Sequence, residues 1–292
     1  MSLAVLHPGF QTTVQDLGRY GYLRAGIPPS GPMDRRAFII ANRLVGNDDN
    51  AAALESAFLG PRLECQTDTL IAVTGAEVDL WINGKLEMLW TALRVRSGDV
   101  IQIGPARNGC WTYLAISGGI DVPPVLSSRA TYSRGNHGGM EGRALRNGDM
   151  LPLKVNLQGH DGMLGRQILS QYRPSFPAEV EVRVILGPQE DYFTPDGITT
   201  FLSSAYEVTH KIDRMGYRLE GPTIAHRTGP DMISDGIPSG GLQVPGDGQP
   251  MILLVDDSPP EVIRRSLLSS ALISVSWHRL SQGGESAFVQ LV

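Results

Sequence analysis

Thr69-Leu70-Ile71-Ala72-Val73-Thr74-Gly75, followed closely by Val78-Asp79-Leu80-Trp81-Ile82-Asn83-Gly84, decides the fold class. The first run is continuously apolar and has the length of a buried strand, too short for a buried helix. The second alternates apolar and polar side chains and closes on Asn-Gly, the pair that tolerates the left-handed conformations of a tight hairpin. Leu93 to Arg96, Ser97-Gly98-Asp99 and Val100 to Ile103 repeat strand, turn and strand. Trp111 to Ile116 is another strand, stopped by Gly118-Gly119. The chain carries 34 glycines and 20 prolines, so its elements are short. Many short strands at this spacing predict a mainly β protein with a few short helices, arranged as a barrel or a sandwich.

Ahead of these strands, Asp34 to Val45 reads as a helix. Met33, Ala37, Ile40, Ala41 and Leu44 share one face, and Gly46-Asn47 supplies the stop. The polar, Gly- and Pro-punctuated stretch 156–177 reads as a link, which predicts two halves at 1–155 and 178–292. In the second half, strands are expected over Val180 to Leu186, Tyr206 to Lys211, Gly216 to Leu219 and Met251 to Val255, with a short helix near Asp196 to Ser204.

Composition excludes several function classes. The net charge of −5 argues against a nucleic-acid surface, which needs a basic excess. No apolar run approaches the roughly 18 residues of a membrane span, and the N-terminus lacks a basic, then apolar, leader, so a cytoplasmic location is expected. Cys65 and Cys110 lack metal or redox spacing and read as buried structural thiols. The six histidines form no i, i+4 pair on a helix, which predicts no metal site.

The candidate chemistry lies in short polar segments. Arg129 stands among Ser127, Ser128 and Thr131, and a guanidinium among hydroxyls suits a carboxylate or phosphate. Arg214 and Arg218 lie four residues apart in an expected strand, which would point both to one face. The bland alternative for them is a surface ion pair. Gln243 and Gln249 flank a Pro-Gly turn, and amides read neutral polar groups because they donate and accept together. The loop Gly135-Asn136-His137-Gly138-Gly139 reads either as an anion cradle of backbone N–H groups or as a plain surface turn.

Several segments together resemble the family of the 5-oxoprolinase C subunit. Its relatives are the allophanate hydrolase subunit 2-like proteins, the carboxyltransferase part of urea amidolyase, and the antagonist of a sporulation kinase inhibitor. The matching pieces are Thr12 to Arg19, Gly26 to Asp34, Ala41 to Asn47, Leu54-Glu55, Tyr113 to Pro123, Gly142 to Leu145 with Gly148-Asp149, Arg214 to Leu219, and Gln243 to Pro245 with Gly248 to Pro250. The resemblance implies two cyclophilin-like β-barrel domains and work with companion subunits A and B. It implies a small amide or lactam substrate: ATP-dependent opening of 5-oxoproline to glutamate, or, in the urea version, carboxyl transfer from biotin. A regulatory protein that sequesters a kinase inhibitor-like partner is the alternative from another class. No motif for ATP or biotin occurs in this chain, so either would be handled by other chains. Arg129, Arg214, Arg218, Gln243 and Gln249 are the expected substrate contacts. Gln15, Asp16, Arg19 and Asp34 belong to the N-terminal family-like segment as site or scaffold. The proton-transferring side chain is left unassigned.

Two departures stand out. The family pattern G-S-R-S-T is replaced by Leu126-Ser127-Ser128-Arg129-Ala130-Thr131. After Asp256 the family runs D-[RA]-Q-[TS]-T-G-G-Y-P, whereas this chain reads Asp257-Ser258-Pro259-Pro260-Glu261-Val262-Ile263-Arg264-Arg265. Codons for Ser258 to Ile273 can be chosen so that a reading one nucleotide earlier recovers Q-S-T-G-G-Y-P-K-I. The expectation is therefore a frame-shifted tail from about Ser258 and weakened activity.

Overall fold

The computed structural model describes residues 1–154, 162–227 and 239–257, together with the backbone of strands at 271–274 and 287–291. The atypical tail after Asp257 otherwise lies outside the described residues. The chain divides into two compact units. Unit 1 comprises Met1–Tyr20 and Pro29–Phe176, and unit 2 comprises Gly21–Pro28 and Pro177–Val292.

Unit 1 contains β1 (Ser2–His7), β2 (Thr13–Gln15), helix α1 (Arg35–Leu44), β3 (Ala53–Ala57), β4 (Arg62–Cys65) and β5 (Thr69–Glu77). It continues with β6 (Leu80–Ile82), β7 (Lys85–Glu87), β8 (Leu93–Val95), β9 (Val100–Ile103), β10 (Asn108–Ile116) and β11 (Met150–Pro152). One sheet has the order β11-β1-β4-β9-β6-β7, the other β2-β3-β10-β5-β8. Leu3, Val5, Leu63, Leu80 and Ile101 of the first sheet share a core with Val14, Leu54, Ile71, Val73 and Leu114 of the second. The opposite face of the second sheet is covered by α1, whose Ala37, Phe38, Ala41 and Leu44 pack on Leu70, Ala72, Tyr113 and Ala115. This layering explains the continuous apolar run in β5. Odd and even side chains both face a core, so no alternation survives.

Local signals were met closely. Asp34 caps α1, its carboxylate accepting from the Ala37 N–H at 2.9 Å. Asn83 and Gly84 take φ of 51° and 77°, the backbone of a tight hairpin between β6 and β7. The expectation of closed barrels is corrected. Among the described residues both strand orders are open-ended, and the apolar faces are buried by opposing two sheets rather than by closing one. Residues 162–176 belong to unit 1, where Ile168 N–H donates to Trp90 O (3.0 Å) and Ala92 N–H to Arg166 O (2.8 Å).

Unit 2 contains β12 (Val180–Val184), α2 (Pro195–Ser203), β13 (Ala205–Ile212), β14 (Gly216–Glu220), β15 (Gly241–Val244), β16 (Met251–Leu253), β17 (Ala271–Ser274) and β18 (Ala287–Leu291). They form one sheet, β12-β18-β13-β14-β16-β15-β17. All neighbours are antiparallel except β13 and β18. Phe193, Phe201, Tyr206, Leu219, Leu242 and Ile252 form its core. Thr194 caps α2 through its hydroxyl, and Pro195 opens it.

Candidate functional site

In unit 1 the candidate residues converge on a buried polar seam between the segments 12–19 and 128–131. Asp16 is 3% exposed. Its carboxylate accepts from Ser128 Oγ (2.6 Å), Arg129 N–H (2.5 Å) and Gly18 N–H (2.9 Å). Arg19 is buried, with guanidinium contacts to Ala130 O and, at 3.4 Å, to Ser30 Oγ. Gln15 is fully buried and donates to Thr13 Oγ1 (2.9 Å) and Thr131 O (3.3 Å). Its Oε1 finds no donor among the described residues. Thr131 donates to Val14 O through both N–H and Oγ1.

Arg129 leaves this seam toward solvent. Its Nε–H donates to Val122 O (2.8 Å), and its Nη2 lies 3.5 Å from Asp121 Oδ1. The side chain is 36% exposed. Of the arginines expected at the site, it is the one in unit 1 whose guanidinium keeps donors facing water.

Asp34 is committed to capping, and its N–H donates to Tyr113 Oη at 2.6 Å. Tyr113 in turn donates to Glu55 Oε2 at 2.8 Å, and Glu55 also accepts from Met33 N–H at 2.7 Å. Tyr113 and Glu55 are both fully buried. Burial, reinforced by the Glu55 carboxylate, holds the Tyr113 hydroxyl well above its usual range. Residue-type reasoning did not single out this pair, because an isolated Glu in a short strand reads as a surface group. Ser128, too, carries no signal of its own in the sequence beyond standing next to Arg129.

The glycine loop is neither an anion cradle nor a loose turn. The N–H groups of Asn136, His137 and Gly139 already donate to Ser133, Tyr132 and Arg129 carbonyls. A Cβ on Gly138 would lie 2.1 Å from Ala130 O and 2.8 Å from Arg19 Nη2, and one on Gly139 would lie 1.9 Å from Thr131 Oγ1. The glycines are required because the loop lies directly on the polar seam.

In unit 2, Arg214 does not lie in β14. Asp213 accepts from Met215 and Gly216 N–H groups, closing a turn that places Arg214 ahead of the strand. The alternation argument that aimed Arg214 and Arg218 at one face therefore does not apply. Arg214 makes a buried two-pronged pair with Asp256, at 2.7 and 3.1 Å. Arg218, on β14, pairs with the half-exposed Asp247. Gln249 uses both ends of its amide on Gly221, accepting from N–H (2.9 Å) and donating to O (3.0 Å). Gln243 is 7% exposed on β15, and its side chain makes no hydrogen bond among the described residues. Among the expected site residues, Arg129 of unit 1 thus keeps guanidinium donors toward water, and Gln243 of unit 2 makes no side-chain hydrogen bond among the described residues.

Elsewhere, burial pushes the Cys65 thiol up to about 12, which suits an inert structural group, while Cys110 is half-buried. No metal-holding cluster occurs among the described residues. A cavity of about 310 Å³ in unit 1 is lined by Ile82, Glu87, Met88, Leu93, Arg94 and Leu164 among others, and none of the candidate residues lines it.

Residues 25–259 match the carboxyltransferase domain family, subdomains A and B. That match ends where the tail leaves the expected pattern. The chain is 36% identical over 257 residues to the C subunit of 5-oxoprolinase from Escherichia coli, covering 87% of this chain and 80% of that protein. It is 40% identical over 228 residues to urea amidolyase of Lachancea kluyveri, covering 75% of this chain but only 12% of that protein. The crystal structure of the K. lactis urea amidolyase superposes with a TM-score of 0.84 at 31% identity, covering 100% of this chain and 18% of that one.

Proposed function

This chain belongs to the carboxyltransferase domain family, and from that premise we propose that it is one member of a multi-subunit enzyme that opens the 5-oxoproline lactam to glutamate at the expense of ATP. The observation that carries the reading is the match in length. The bacterial 5-oxoprolinase relative is spanned over 80% of its length, whereas this chain is a small part of the urea amidolyase relatives. Companion subunits A and B would supply ATP handling, for which this chain has no motif.

The chemistry of the candidate site suits such a substrate. A lactam presents a planar amide whose oxygen gains negative charge when the ring is attacked, and preformed donors lower that barrier. Taken unit by unit, Arg129 offers guanidinium N–H groups at the surface of unit 1, and Gln243 of unit 2 offers an amide that makes no hydrogen bond among the described residues. Asp16, Arg19, Asp34, Arg214 and Gln249 serve as scaffold in this reading, since their polar groups are engaged by buried partners.

The test is co-purification with the two companion proteins and measurement of glutamate formed from 5-oxoproline and ATP. Turnover supports the reading, and a stable assembly of all three proteins that leaves 5-oxoproline intact overturns it. A second reading, carboxyl transfer to urea or a similar amide, is favoured by the 40% identity to the fungal protein. It requires biotin on another chain, so inhibition by avidin separates the two.

A further inference from the structure

We propose that Asp16 is a positioning residue that clamps a strained turn and so aims Arg129. Leu126 and Ser127 have φ of 52° and 63°. Val125 and Ser128 exchange both N–H···O bonds, at 2.7 and 3.2 Å. The turn is therefore a two-residue hairpin turn with both central residues left-handed. Such turns select Asn and Gly, because a Cβ in this conformation crowds its own carbonyl. Leu and Ser here carry strain, and strain persists only where the surroundings hold it.

The hold is the Asp16 carboxylate. One oxygen takes the Ser128 hydroxyl and the other takes the Arg129 N–H, the first two groups after the strained pair. The carboxylate is removed from water, so these charge-assisted bonds are strong and their loss is not made good by solvent. Beyond Arg129, the bonds from Thr131 to Val14 O continue the same seam. The Arg129 side chain thus springs from a backbone pinned on one side by Asp16, and its Nε is pinned to Val122 O on the other. The Nη edge of the guanidinium carries only the long contact of Nη2 to the exposed Asp121, at 3.5 Å, and is the part that can meet a ligand.

This inference rests on the reading of Arg129 as a substrate contact, and its test separates the two. Hydrogen exchange at the 128–130 amides is measured for wild type, Asp16→Asn and Ser128→Ala. Ser128→Ala removes the hydroxyl's bond to Asp16 and its acceptance of the Ala130 N–H (3.0 Å), leaves the Arg129 N–H on Asp16, and guards against a variant that fails to fold. Exchange at the Arg129 amide is expected to rise roughly tenfold or more in Asp16→Asn, and less in Ser128→Ala, which keeps its acceptor. In the assembled complex Asp16→Asn is expected to lower kcat roughly ten- to a hundredfold with little change in KM. It should add little to Arg129→Ala, since the two act through one group. Ser127→Gly, which relieves the turn, should restore part of the activity of Asp16→Asn. Unchanged exchange at Arg129, or fully additive effects of Asp16→Asn and Arg129→Ala, would overturn the proposal. Full activity of Arg129→Ala would instead sink the substrate role of Arg129 and leave the exchange result to decide the clamp.

Discussion

Tyr113→Phe is the cleanest single perturbation of unit 1. Phenylalanine keeps the ring and its edge-on contact with Phe38, at 6.0 Å between centroids. It removes one oxygen that accepts the Asp34 N–H and donates to the buried Glu55 carboxylate. Two partners lose a bond. A buried neutral group left unsatisfied costs about 1–3 kcal/mol, and a hydrogen bond to a charged group contributes about 1.5–3 kcal/mol. The net expectation, allowing for local relaxation, is about 3 kcal/mol. For a unit of roughly 150–250 residues that is a fall in Tm of about 6–12 °C. Urea unfolding followed by tryptophan fluorescence is the assay, since Trp81, Trp90 and Trp111 all lie in unit 1. The variant also tests the pH dependence. The hydroxyl is held above its ordinary value of 10, so the folded state keeps a proton that the unfolded chain gives up. Stability is fully present below about pH 10 and declines as pH rises from there toward the folded value, at up to about 1.4 kcal/mol per pH unit. Tyr113→Phe should lose that alkaline slope. A loss under about 0.5 kcal/mol at neutral pH, or an unchanged alkaline slope, would refute the reasoning.

Arg214→Ala should destabilise unit 2 by about 3–5 kcal/mol in equilibrium unfolding, because Asp256 is left buried and unpaired, and Arg214→Lys should recover only part by losing the two-pronged geometry. Gly138→Ala should cost clearly more than Gly148→Ala when their thermal midpoints are compared: both glycines have positive φ, but only the first would drive a Cβ into backbone. Sequencing the gene across Ser258 to Ile273 should show codons that yield T-G-G-Y-P one nucleotide earlier. Restoring that frame should raise activity in the complex, and codons unable to give that motif would end the idea.

The mainly β character and α1 were legible because their signals are local. An Asn-Gly turn, a capping aspartate and a short apolar run each act within a few residues. The strands β1 to β4 were harder. In β3 all five residues are buried, Glu55 and Ser56 included, so no period-two pattern marks it. The site was half legible. Arg129 and Gln243 were reached by residue type, but the commitments of Arg19, Arg214 and Gln249 to carbonyls and a carboxylate far along the chain were not. Arg214 was misplaced because Asp213 bends the chain before β14 begins, a turn that counting by twos along a strand does not foresee.

The assignment of Gly21–Pro28 to unit 2, between two stretches of unit 1, has a consequence for synthesis of the protein. This octapeptide leaves the ribosome early, yet the bulk of the unit it joins begins only at Pro177. At ordinary elongation rates the delay is roughly 8–30 s. Unit 1 has all its own strands by then and can close first, with the octapeptide held out as a waiting tether. A stand-alone version of the second unit must therefore carry residues 21–28 grafted back onto it.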